Sequence, residues 1–412
     1  MMLRGFTIIL LLLSMVALGL TAPARAQREP GDLVALAYVR EGTVALADAT
    51  GEFLTATGPE LAPWQSAKLF WSPDGDALYV ATRQGLFVTG AEGGAAVRLP
   101  GEFGLTVTIA RHGGVLYNLD TENIQELENN LAAFPLRETN VNNLEGGRGR
   151  LLTYLGAYDL GTANVNAAGA AALYARDAGL LNGGRPRIYP TYGGSLFYSC
   201  CFPQPGMYLL ELGSLTITEY DPSYITGASA LNATASRLAA PTTDGLIRII
   251  DLISSGSRDY VIDVPGGVGP IERMAWSLDE SSLFFISRLT PNQPLELLPS
   301  VTYPADTRSA RGVLWRLDLV TGRTTEVAQM GDVYGVSSLA VTGRYVFAVA
   351  VEPNRALVEA LNMGALPPDI QPNDPALDAY NPRTVLWRVD LSDNSLLAMD
   401  EGIWGVVARP AG

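Results

Sequence analysis

The sequence predicts an all-β fold of repeated four-stranded sheets closed into a ring. Three observations carry that expectation. First, two stretches follow one template. Trp71-Ser72-Pro73-Asp74-Gly75 runs into Leu78-Tyr79-Val80-Ala81-Thr82-Arg83, and Trp276-Ser277-Leu278-Asp279-Glu280 runs into Leu283-Phe284-Phe285-Ile286-Ser287-Arg288. The two tryptophans stand 205 residues apart, a distance that holds five units of roughly forty residues, the length of one propeller blade. Second, Val313-Leu314-Trp315-Arg316-Leu317-Asp318-Leu319 recurs as Val385-Leu386-Trp387-Arg388-Val389-Asp390-Leu391. Third, the ends complement each other: strand patterns at 34–39, 43–46 and 53–56 lack an inner strand, and 402–408 reads as an inner strand with nothing after it. Joining them makes one sheet and removes two exposed edges. The expected architecture is a single β-propeller of eight blades, with seven as the alternative, closed by the C-terminal strand.

The elements follow from short alternating apolar runs separated by Gly, Asp, Asn and Pro turns. The second unit is the clearest, with strands at 67–72, 76–82, 86–89 and 95–99. A third begins with 105–110 and 115–118, and a fourth holds 151–155 and 170–175; both are poorly patterned. Segments 196–198, 207–212 and 215–220 mark a fifth, and 228–231, 238–241, 246–252 and 260–264 a sixth. The seventh carries the second Trp-Ser copy and the first Val-Leu-Trp-Arg run. The eighth opens at 336–341, continues through 345–351 and carries the second such run. Pro-rich insertions at about 291–311 and 352–383 separate the second and third strands of these last two units. Second-to-third-strand loops share one face of a propeller, so the insertions are expected side by side. Within the second, Asn354 is placed to cap a short helix carrying Leu357, Val358 and Leu361 and ended by Gly364.

Composition sets further bounds. The chain has 412 residues, 48% of them hydrophobic, and a formal net charge of −14. Lys68 is its sole lysine. Such acidity repels a phosphate backbone and argues against a nucleic-acid partner. Residues 1–26 read as a signal peptide: Arg4, an apolar run from Phe6 to Leu20, and Ala24-Arg25-Ala26 before Gln27. The propeller domain is then 27–412, secreted or periplasmic, with no membrane span after cleavage. The run is short for a span, which needs about 20 apolar residues. Export permits oxidation of the adjacent Cys200 and Cys201. A vicinal disulfide between them is the favoured reading; two free thiols on opposite strand faces and bonds to another chain are the alternatives.

The Trp-Ser-Pro-Asp-Gly turn and the Leu-Tyr-Val-Ala strand after it resemble the WD-repeat-like propeller repeats of bacterial exported proteins. The Tol-system translocation protein and the propellers of prolyl oligopeptidase-type peptidases carry the same turn. The second copy departs from it, with Leu278 and Glu280 in place of Pro and Gly, and a fainter trace stands at Leu231-Asn232-Ala233-Thr234. The resemblance implies a binding scaffold. No hydrolase domain of the peptidase kind is expected within these residues.

Candidate chemistry is sparse. The single histidine, His112, sits in an Arg-His-Gly-Gly turn with no Gly-x-Ser-x-Gly elbow to serve. One histidine is too few for His-based zinc or copper sites. Asp369, Asp374 and Asp378 cluster in the second insertion without the spacing of a calcium loop. They read as a solvated acidic loop, with calcium as the alternative and no other cofactor expected. A quinone cofactor would need a tryptophan docking repeat that is missing. Ser72-Pro73-Asp74-Gly75 is not a sialidase Asp-box, because its glycine comes one place early. Arg83 and Arg288 follow the second strand in both template copies and would emerge at the insertion face. They read either as guanidinium groups for a carboxylate or as strand-end charges bonded to neighbouring blades. Tyr303 and Tyr380 lie in the insertions, where aromatics supply partner contacts. The expected function is a binding or assembly module for another extracytoplasmic protein or a small ligand. The alternative is a propeller lyase or hydrolase with a carboxylate- and Arg-lined central pocket.

Overall fold

The computed structural model describes residues 33–61, 67–104, 107–110, 114–119, 125–127, 131–141, 149–159, 187–190, 195–200, 206–221, 228–234, 236–242, 244–252, 254, 256–264, 267–289, 310–333, 335–352, 356, 359–360, 363–367, 376 and 383–410. The signal-peptide segment, His112, Cys201, Tyr303, Asp369, Asp374, Asp378 and Tyr380 lie outside them.

The described strands form seven antiparallel units, here sheets 1 to 7. Sheet 1 runs Ile403–Ala408, Leu36–Arg40, Thr43–Ala47, Phe53–Thr57 from its inner strand outward. Sheet 2 is Ala67–Trp71, Ala77–Thr82, Gly85–Gly90, Gly93–Arg98. Its outer strand meets that of sheet 1 in a single parallel bridge, Thr57 with Gly94. Sheet 3 is Thr108–Ile109, Val115–Leu119, Leu131–Asn140, Arg150–Asp159, with Gln125–Leu127 added beside the third strand. Sheet 4 is Arg187–Pro190, Ser195–Cys200, Gly206–Glu211, Thr216–Asp221, and sheet 5 is Ala230–Leu231, Arg237–Pro241, Leu246–Asp251, Ser257–Val261. Sheet 6 is Ile271–Trp276, Ser282–Leu289, Ala310–Asp318, Thr324–Val333. Sheet 7 is Gly335–Thr342, Tyr345–Glu352, Arg383–Asp390, Ser395–Glu401.

The expected closure is present. Leu36 pairs with Ala408, Tyr38 with Val406 and Arg40 with Ile403, so the last strand is the inner strand of the first sheet. Both Val-Leu-Trp-Arg runs are third strands, as their repetition required. Among the described residues the units number seven, the alternative to the eight favoured by the sequence. Segment 151–155, read as part of a fourth unit, belongs to the outer strand of sheet 3, because Leu131–Asn140 pairs with Val115–Leu119 on one side and Arg150–Asp159 on the other. Segment 170–175 lies outside the described residues. In sheet 4 the inner strand Arg187–Pro190 was not foreseen.

Cores form between sheets, and the strand period of two explains why. In Ser282–Leu289, Leu283 and Phe285 pack towards sheet 5 with Ile247, Ile249 and Trp276. Their neighbours Phe284 and Ile286 pack towards sheet 7 with Val346, Ala348 and Ala350. The same division recurs at sheet 1, where Leu36 and Tyr38 face sheet 7 while Ala37 and Val39 face sheet 2. At sheet 2, Leu78 and Val80 face sheet 1 while Tyr79 and Ala81 face sheet 3. Strands covered on both faces are apolar throughout, which accounts for the unbroken run Leu283-Phe284-Phe285-Ile286. Inner strands of successive sheets adjoin from sheet 5 through 6, 7 and 1 to 2, and again between sheets 3 and 4. The fold is all-β and propeller-like, built of repeated four-stranded antiparallel sheets. Among the described residues, no helix is long and apolar enough to cross a membrane.

Candidate functional site

Each Trp-Ser turn is held by its serine and aspartate. Ser72 Oγ donates to Asp74 Oδ1 at 2.5 Å and accepts from the Ala77 N–H at 2.9 Å. Ser277 Oγ donates to Asp279 at 2.6 Å and accepts from the Ser282 N–H at 2.9 Å. Residue five of the template must adopt a left-handed backbone, with φ of +72° at Gly75 and +57° at Glu280. The faint third copy works the same way with an amide: Asn232 Oδ1 accepts from the Arg237 N–H at 2.8 Å, again five residues on. Hydrogen bonds from Ser277 and Ser281 hold the Asp279 carboxyl down to about 2.

These turns also join sheets. Arg237 of sheet 5 lies 4.9 Å over the Trp276 ring and donates to Glu280 at 2.7 Å. Asn232 Nδ2 reaches the same carboxylate at 2.8 Å. Burial pushes the Glu280 pKa up, but the bonds from Arg237, Asn232 and Thr234 outweigh it and bring it below the ordinary value. The first copy has the same arrangement: Arg409, just past the closing strand, lies 5.8 Å over the Trp71 ring and donates to the Gly75 carbonyl at 2.7 Å. Arg388 of sheet 7 donates to the Thr50 carbonyl of sheet 1 at 2.8 Å. This end of the ring, bearing the first-to-second and third-to-fourth strand turns, is the turn end.

The opposite end carries the connections 290–309 and 353–382. Their common direction follows from two bonds. The Val336 N–H donates to Glu272 Oε2 at 2.7 Å, and Arg273 Nε donates to the Ser337 carbonyl at 2.9 Å. The inner strands of sheets 6 and 7 therefore start side by side and run parallel. Their second strands finish at that same end, at Leu289 and Glu352. Each connection leaves from an anchored base. Buried Glu272 forms an ion pair with Arg288, and Trp387 Nε1 donates to Glu352 at 3.0 Å. Gly269 supports the first base, because a Cβ there would lie 2.0 Å from the Arg288 carbonyl oxygen. In the second connection Ala356, Glu359 and Ala360 are helical. Gly364 at φ +70° ends the turn, and the Ala365 N–H bonds back to the Ala360 carbonyl at 2.8 Å, the expected glycine stop.

Arg83 and Arg288 occupy the same template place in different settings. Arg83 is an exposed turn residue after Ala77–Thr82, whereas Arg288 lies within its strand on Glu272. The difference traces to the residue four before the tryptophan, Ala67 in one copy and Glu272 in the other. Cys200 ends a strand of sheet 4. Among the described residues, no group of three or more His, Cys, Asp or Glu side chains is placed to hold a metal ion. One repeated device was missed: both copies carry a cation three before the tryptophan, and each reaches a backbone carbonyl in or just before the next inner strand. Lys68 Nζ donates to the Val107 carbonyl at 2.7 Å, as Arg273 does to Ser337. Aligning the copies upstream of the tryptophan would have shown it.

No family model matches the chain, and no curated protein does. Solved structures are similar in fold at low identity. The β-propeller domain of Myceliophteria thermophila Cps50 (Swd1) aligns at 12% identity and TM-score 0.40, over 81% of this chain and 88% of that one. The dihydro-heme d1 dehydrogenase NirN, in complex with DHE, aligns at 14% and 0.43, over 94% and 77%. A eukaryotic initiation factor aligns at 11% and 0.38, over 92% and 99%.

Proposed function

We propose that this chain is an exported β-propeller acting as a binding or assembly module, with the insertion end as its working surface. One observation supports the reading above others: the connections 290–309 and 353–382 leave the same end of adjacent sheets, each from an anchored base. A propeller-like array of sheets, with the last strand completing the first sheet, gives such loops a platform, the arrangement in which loops carry recognition. Arg83, Arg288, Tyr303 and Tyr380 are the side chains proposed to serve that surface. The partner is another extracytoplasmic protein or a small ligand.

Among the described residues, the carboxylates held furthest below the usual range are bonded within turns: Arg344 holds Asp390, and Ser277 holds Asp279. Glu280 and Glu272 join sheets. Export is tested by N-terminal sequencing of protein recovered outside the cytoplasm, which should begin at Gln27. Binding is tested by affinity capture from the extracytoplasmic fraction with the mature chain and with a variant in which 353–382 is replaced by a short Gly-Ser turn. The reading expects the variant to keep its melting temperature and lose the captured partner. Equal capture by both proteins contradicts it.

A further inference from the structure

A groove of about 450 Å³ opens at the turn end between sheets 5 and 6, at the opposite end of the ring from the insertions. That volume lies in the range of roughly 300–1,000 Å³ typical of small-molecule sites. We propose that it binds a small organic acid, one carboxylate on an apolar body.

The apolar part of the lining is Ile249, Leu319 and Val320. Val320 is 77% exposed at the rim, an apolar side chain that a ligand would cover. Buried Tyr260 also lines the groove, and its hydroxyl is spent on the Leu319 carbonyl at 2.8 Å. Its ring supports Arg258, whose guanidinium lies 4.7 Å from the ring centroid. A guanidinium resting over an aromatic ring can still offer its N–H groups to a carboxylate.

The other charges around the groove are already engaged. Glu280 is bonded to Arg237 and Asn232, and Asp251 Oδ1 accepts the Ser254 N–H at 2.7 Å. Arg248 and Asp259 pair with each other at 2.6 Å, and Asp259 points to the strand face opposite Arg258 and Tyr260. Among the described residues, Arg258 has no carboxylate within ion-pair distance. It is the groove's donor for an incoming anion, beside the apolar lining of Ile249, Leu319 and Val320.

The test is isothermal titration of the mature chain with 3-phenylpropionate. Saturable binding at one site is expected, at least about tenfold tighter than for acetate, which lacks the body, and for 3-phenylpropionamide, which lacks the charge. Arg258→Gln should weaken 3-phenylpropionate at least about tenfold with the melting temperature unchanged, since the side chain is exposed. Val320→Asp should weaken it as well, by placing a like charge at the rim. The proposal is overturned by no saturable binding up to about 10 mM, by equal affinity for the amide, or by unchanged affinity in both variants. Because the two sites lie at opposite ends, partner capture at the insertion end should be unaffected by either substitution, so failure here leaves the module reading standing.

Discussion

Ser72 and Ser277 each do two jobs with one hydroxyl, donating to an aspartate and accepting the N–H of the residue that opens the next strand. Ser282, the residue bonded to Ser277, is buried, so truncation would orphan its amide. Ser277→Ala is expected to cost about 1–3 kcal/mol in denaturant unfolding, and Ser72→Ala a similar amount. The aspartates set a pH dependence. Asp279 has a folded pKa of about 2 against an ordinary 3.8, so its stabilisation is present above about pH 4 and is lost as pH falls through about 2. Asp74 is shifted in the same direction by Ser72. Melting temperature should therefore fall between about pH 4 and pH 2, and Asp279→Asn should flatten that fall. The Ser-x-Asp pattern was legible in the sequence because its chemistry is local. Asn232 was only faintly legible, since an amide replaces the hydroxyl and the matching feature is a spacing of five to the amide it accepts.

Single elements show why some substitutions that weaken the repeat strengthen the joint between sheets. Glu280 stands where the template has glycine and holds a left-handed backbone, a cost for any residue with a Cβ. Its carboxylate gathers Arg237, Asn232 and Thr234 from the neighbouring sheet. Glu280→Gly relieves the backbone but loses charge-assisted bonds, and a net loss of about 1–2 kcal/mol is expected by chemical denaturation. A gain in stability would show that the turn, not the joint, governs this position. In the strand Ser282–Leu289, Phe285 is fully buried and stacks on Trp315 at 6.5 Å. Phe285→Ala should cost about 3–5 kcal/mol, beyond any exposed substitution nearby. Strand placement in sheets 2, 6 and 7 was legible because two-sided burial writes long apolar runs. Sheet 3 was not, since its strands are joined by pairing between segments whose apolar pattern is weak, and Leu131–Asn140 carries Pro135, Arg137, Glu138 and Asn140. The cation pair at Lys68 and Arg273 was missed because its meaning lies in the next inner strand, which no local pattern reveals.

At the scale of the molecule, the closing strand Ile403–Ala408 ties the ring together. It pairs with Leu36–Arg40, and its residues join two inter-sheet cores: Ile403 and Val406 pack towards sheet 7, and Val407 towards sheet 2. Arg409 then fastens it to the turn of sheet 2. A terminal segment ordinarily frays, opening at little free-energy cost. This one is the inner strand of a sheet, so it opens only when sheet 1 loses both neighbouring cores. Native-state hydrogen exchange of the amides in 403–408 measures that difference directly. Exchange at the free energy of global unfolding, matching the amides of Ser282–Leu289, is the predicted result. Exchange near the rate of a frayed terminus, with the rest of the ring still protected, would contradict closure by this strand.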